Sequence, residues 1–97
     1  MYIIRNVFRA KPGKAKDLVA KFKAAAPHLR DMGIVNTRIL TDTVAGFWTV
    51  VVESEADDLS AYMARLQERP DNPELAAAMA GYMDLVDGGH REILKVE

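Results

Sequence analysis

Hydrophobic positions along the chain switch period several times, and the order of the switches predicts the fold. From Tyr2 to Arg9, Tyr2, Ile4, Asn6 and Phe8 alternate with Ile3, Arg5, Val7 and Arg9, a β-branched and aromatic pattern that reads as a strand. Lys11-Pro12-Gly13-Lys14 breaks it. Ala15, Leu18, Phe22, Ala25 and Leu29 then recur at helical spacing, with lysines 14, 16, 21 and 23 mostly on the other side, giving an amphipathic helix. Pro27 falls late in that helix, where its ring opposes the carbonyl of Lys23, so a kink or fresh start is expected near Ala26. Gly33 closes the segment.

A second strand is expected from Asn36 to Asp42, a turn over Thr43-Val44-Ala45-Gly46, and a third strand from Phe47 to Ser54. The third strand is apolar almost without interruption from 47 to 52, which predicts burial on both faces. Asp57 or Asp58 caps a second helix with Leu59, Tyr62, Met63 and Leu66 on its stripe. Arg69-Pro70-Asp71-Asn72-Pro73-Glu74 interrupts that helix. Asn72 then reads as a new N-cap, Pro73 as the first helical position and Glu74 as a first-turn acid. Leu75, Met79, Tyr82 and Val86 form the next stripe, Gly88-Gly89 ends it, and His90 to Glu97 is the fourth strand.

The order strand, helix, strand, strand, helix, strand is the ferredoxin-like βαββαβ plan, an α+β fold with a four-stranded antiparallel sheet and its helices on one face. It accounts for residues 1–97 as one domain. Helices on one face leave the other uncovered, and Ile3, Val7, Phe47, Val51 and Ile93 are expected there. So large an apolar face predicts a homodimer with the two sheets packed together as a dimeric α+β barrel. Arg5, Thr49 and Glu53 share the parity of that face, and their partners are expected across the interface.

Composition removes several functions. Thirteen basic and fourteen acidic residues spread along the chain give a net charge of −1, without the electrostatic footprint of a nucleic-acid or anionic-membrane partner. The absence of cysteine excludes disulfides, thiolate metal sites and a cysteine nucleophile, which leaves only His28 and His90 for a histidine-and-carboxylate metal site; none is expected. No segment reads as a signal peptide or an apolar span, so a cytoplasmic location is expected. Phosphate-binding glycine loops, nucleophile elbows and metal-ligand spacings are missing.

The segment Asn6-Val-Phe-Arg-Ala-Lys-Pro-Gly-Lys-Ala-Lys-Asp17, followed by an amphipathic helix and a tryptophan-bearing strand, resembles the dimeric α+β barrel superfamily, particularly its antibiotic-biosynthesis-monooxygenase and NIPSNAP-like branches. Tyr62 to Glu97, with Arg65-Leu-Gln-Glu-Arg-Pro and Asn72-Pro-Glu-Leu, is similar to the second half of such proteins. The resemblance implies a small cofactor-independent monooxygenase acting on an aromatic or polyketide-like molecule. The alternative is a non-catalytic small-molecule-binding or stress-associated dimer. In the haem-degrading branch an asparagine stands on the first strand, as Asn6 does here. Its tryptophan and histidine positions, however, fall near Val52 and Met79, so no cofactor is expected.

On this reading the catalytic candidates are Asn6, an amide among apolar neighbours on a strand, and His90, whose ordinary pKa suits a base near neutral pH. The simpler reading of Asn6 is an amide bonded to neighbouring backbone, and of His90 a rim histidine. Trp48, Tyr62, Met79 and Tyr82 are the substrate-binding candidates, able to line an apolar pocket for a small aromatic ligand. The same stripes equally describe a packed core. His28 reads as a boundary histidine at a helix C-terminus, and Arg65 and Arg69 as surface partners of Glu68 and Asp71.

Overall fold

A strand of nine residues, β1 (Tyr2–Ala10), forms the middle of the molecule because its alternating side chains are wanted on both sides of a sheet. The structure is a computed structural model and describes residues 1–30, 33–67 and 72–97. After β1 come α1 (Ala15–Leu29), β2 (Val35–Thr41), β3 (Thr49–Ala56), α2 (Leu59–Gln67), α3 (Pro73–Met79), a short 3-10 turn (Tyr82–Leu85) and β4 (Val86–Lys95). The sheet order is β2-β3-β1-β4 with antiparallel neighbours throughout. This is the ferredoxin-like arrangement.

Cross-strand register fixes which side chains share a face. Ile4 lies opposite Ser54 and Ile93, Asn6 opposite Val52 and Arg91, and Phe8 opposite Val50 and Gly89. These residues face the helices. Leu18, Phe22 and Ala25 of α1 are buried against them, and two apolar clusters result. One joins Ala10, Leu18, Phe22, Val50 and Val52, with Phe8, Met79 and Tyr82 packed against it. The other joins Ile4, Ile34, Ala56 and Tyr62, with Ile93 packed against it.

The helix ends follow local chemistry. The N–H of Gly33, at φ +75°, donates to the carbonyl of Arg30, and the N–H of Ile34 to that of Leu29. Both bonds bring the chain back onto the end of α1, and Gly33 sits in the left-handed region that glycine enters without steric cost. Asp58, of the two aspartates expected to cap α2, accepts from the N–H of Ala61 through Oδ1. Asn72 caps α3 by accepting from the N–H groups of Glu74 and Leu75.

Four expectations from the sequence are corrected. Pro27 lies inside α1 without beginning a new segment, since so near the C-terminus its missing N–H removes a single helical bond. The last helix stops at Met79, Gly81 at φ +77° turns the chain, and β4 starts at Val86, so Gly88 and Gly89 are strand residues. Helical spacing continued to Val86 because Tyr82 and Val86 pack on the same cluster from a 3-10 turn and a strand. Phe47 and Trp48, at φ +63° and +56°, belong to the loop before β3, and Phe47 is 79% exposed. Ile93 faces the helices, not the open side, because it pairs with Ile4. The expected interruption from 69 to 71 and the partners Glu68 and Asp71 lie outside the described residues.

The open face of the sheet carries Ile3, Val7, Leu40, Val51 and Leu94 together with a transverse row of alternating charge, Arg38, Glu53, Arg5 and Glu92. Arg38 hydrogen-bonds Glu53, raising the guanidinium pKa, and Arg5 Nε lies 3.6 Å from Glu53 and 3.8 Å from Glu92. Glu53 therefore finds partners within its own chain, where an intermolecular pairing was expected. Val50 and Val52 on one face and Val51 on the other are all buried, as the uninterrupted apolar run predicts.

Candidate functional site

Asn6 is held at the middle of β1, on the side of the sheet that faces the helices. Its Oδ1 accepts a 2.6 Å hydrogen bond from Nε of Arg91, which lies directly opposite on β4. The bond uses the amide's acceptor and one of the guanidinium's five donors, and among the described residues no other side-chain hydrogen bond engages the remaining N–H groups. Asn6 is half-buried and Arg91 exposed, so the pair can be reached.

Tyr62 descends from α2 onto the same side of the sheet and is 5% exposed. Burial pushes its phenol above the ordinary value, and the positive charge of Arg91 opposes that rise. Asn6 and Arg91 thus form a small polar pair on the helix side of the sheet, near enough to Tyr62 for the guanidinium charge to act on its phenol. It contains donors and a cation, and among the described residues no carboxylate is bonded to them, an arrangement suited to holding an anionic oxygen.

His90 does not join it. Successive strand residues point to opposite faces, so His90, next to Arg91, lies on the open face opposite Val7, where Nε2 is 3.1 Å from Glu92 Oε2. Asn6 and His90 of one chain therefore sit on opposite faces of the sheet. Tyr82 and Met79 are placed in the first cluster. Tyr82 meets Phe8 edge-on with centroids 6.4 Å apart, while Phe8 and Phe22 are 5.0 Å apart. Trp48 is elsewhere again, lining a groove of about 570 Å³ between α1 and the loop before β3. The six residues singled out by the sequence occupy four places.

Arg91 was missed by the sequence reading. Its signal was parity: in an antiparallel pairing with β1, the residue two before Ile93 lies opposite Asn6 once Ile93 is set opposite Ile4. Placing Ile93 on the open face hid that signal. His28, in the last turn of α1, has its Nδ1 3.8 Å from Oε2 of Glu74 in α3. Among the described residues no cluster of three or more histidine and acidic side chains could hold a metal ion, and no helix is long and apolar enough to cross a membrane.

No family model matches the sequence, and no curated protein matches it. Solved structures do match the fold over nearly its whole length. An uncharacterized NIPSNAP domain protein from Burkholderia xenovorans superposes with a TM-score of 0.80 at 15% identity, covering 100% of this chain and 95% of that one. A NIPSNAP family protein from Agrobacterium tumefaciens gives 0.79 at 12% identity, over 99% and 92% of the two chains. A candidate antibiotic biosynthesis monooxygenase from Chloroflexus aurantiacus gives 0.70 at 20% identity, over 99% and 93%. The fold is that of the superfamily the sequence resembles, and likeness at this identity speaks for the fold alone.

Proposed function

We propose that the chain is a homodimeric small-molecule-binding protein whose Asn6, Arg91 and Tyr62 hold the anionic oxygen of a phenol or enol, and that it oxidises such a molecule without a cofactor. The observation that carries this reading is the Arg91 Nε–H to Asn6 Oδ1 hydrogen bond, which orients a guanidinium on the helix side of the sheet. The apolar residues of the open face support the dimer, since a second sheet would cover them. Gel filtration with cross-linking is expected to give a dimer. A stable monomer would contradict this part of the reading.

The chemistry needs an acidic substrate. A methylene flanked by electron-withdrawing aryl carbonyl groups loses a proton to water when a nearby cation stabilises the resulting enolate. Arg91 supplies that charge, and the Asn6 amide N–H donates to the same oxygen. The carbanion then transfers electrons to oxygen. In total one methylene and one O₂ give one ketone and one water, so the substrate's own C–H electrons are the reductant.

A non-catalytic binding dimer is the second reading, favoured by the placement of His90 on the opposite face from Asn6. Oxygen uptake with anthrone separates the two. The enzyme reading predicts one O₂ consumed per anthrone, a loss of about tenfold to hundredfold in Arg91→Gln, and unchanged turnover in His90→Gln. Uptake no faster than in buffer would leave the binding reading. Loss of turnover in His90→Gln would contradict the assignment of the site.

A further inference from the structure

We propose that the groove between α1 and the loop before β3 is a second ligand site, one that takes a planar aromatic carboxylate. It is separate from the Asn6–Arg91 pair. Ala15, Val19 and Ala20 of α1 line one side and Trp48 the other, around a volume of about 570 Å³, within the range of small-molecule pockets. Small aliphatic side chains facing an indole leave a slot whose apolar walls suit an aromatic ring.

The charge at the slot selects an anion. Lys16 and Lys23 line it two helical turns apart, about 10 Å along the axis. Asp42 also lines it, but its Oδ1 is engaged by the backbone N–H of Thr49 at 3.0 Å. A carboxylate at either end of the slot therefore meets a lysine whose attraction Asp42 only partly offsets.

The tryptophan is held in place at a conformational cost. Phe47 and Trp48 both have left-handed φ values, a conformation that bulky side chains rarely adopt and that persists only where the surroundings enforce it. The enforcing contacts are visible. The carbonyl of Trp48 accepts from the N–H of Ala10 at 2.8 Å, and the N–H of Asp42 donates to the carbonyl of Thr49 at 3.3 Å. A regular strand start would have been relaxed. Here the backbone from the Trp48 carbonyl onward is pinned to β1 on one side and to Asp42 on the other, and the indole lines the slot while 44% of the residue stays exposed. Because the slot lies on the helix side, dimerisation through the open sheet face leaves it accessible.

Trp48 is the chain's single tryptophan, so its indole N–H gives one resolved NMR signal. Titration with naphthoate is expected to move that signal saturably, together with the amide signals of residues 15 to 23. The double variant Lys16→Gln/Lys23→Gln, altered only at exposed side chains, is expected to bind about three- to tenfold more weakly. Neutral methylnaphthalene should bind wild type and double variant alike. An indole signal that does not move up to the solubility limit of naphthoate would overturn the proposal, as would equal naphthoate affinity in the double variant. Shifts confined to Asn6, Tyr62 and Arg91 would overturn it too, while leaving the reading of that other site intact.

Discussion

Phe22→Ala is expected to destabilise the protein by about 3–5 kcal/mol, measured as a lowered midpoint in urea unfolding. Phe22 stands in the middle of α1, 6% exposed, with its ring 5.0 Å from Phe8 and 6.4 Å from Tyr82. Its removal deletes the contact common to α1, β1 and the 3-10 turn at once. The cavity left behind is walled by Leu18, Val50 and Val52, all short and fixed by a sheet and a helix, so collapse around it is limited. Stability of this size is a large share of what a small domain has, and the variant is expected to be partly unfolded at 37 °C. A loss below 1 kcal/mol would mean that the two layers are held together elsewhere.

Gly89→Ala should also be costly, for a different reason. A Cβ at position 89 would lie 2.5 Å from the carbonyl oxygen of Val7 and 3.3 Å from Cα of Phe8. Both obstacles are backbone atoms of the central strand and cannot rotate away. The β1–β4 register must shift or the strands must part, at about 1–3 kcal/mol. The same movement would disturb Arg91, two residues on, so weaker binding at the Asn6–Arg91 pair should accompany the loss of stability. Gly88→Ala is the control, since nothing lies within 4 Å of a Cβ there.

The element order could be read from the residues because each element carried its own signal. Asn72-Pro73-Glu74 marks a helix start through capping chemistry, and the observed Asn72 cap is the one that triplet predicts. Gly33 marks the end of α1 by the same kind of local logic. What could not be read were boundaries where two periods overlap. Tyr82 and Val86 continue a helical stripe from Leu75, yet they pack on the same core from a 3-10 turn and a strand. Only Gly81, a single residue, marks the change. Phe47 and Trp48 look like strand residues by composition, and nothing in their identity announces left-handed φ values.

The candidate site was legible only in part. Asn6 stood out as an amide among apolar neighbours, and Tyr62 as a polar end on an apolar stripe. Their partner Arg91 depended on the register of β4 against β1, a long-range property. Placing Ile93 on the wrong face of β4 therefore promoted His90 and concealed Arg91, since adjacent strand residues face opposite ways. Trp48 shares parity with Val50 and Val52 and does lie on the helix side. It lines a groove against α1, apart from the clusters that hold Tyr62 and Tyr82, because β3 begins only after it.

The most direct test is the apparent pKa of a bound phenol. Para-nitrophenol changes colour on ionisation, so its titration can be followed on the protein itself by absorbance. If Asn6 and Arg91 hold an anionic oxygen, binding should lower the phenol's apparent pKa in the wild type and in His90→Gln. In Arg91→Gln the shift should vanish. A bound phenol whose pKa is unchanged or raised in the wild type would contradict the site, for it would place the ligand in an apolar core without the guanidinium.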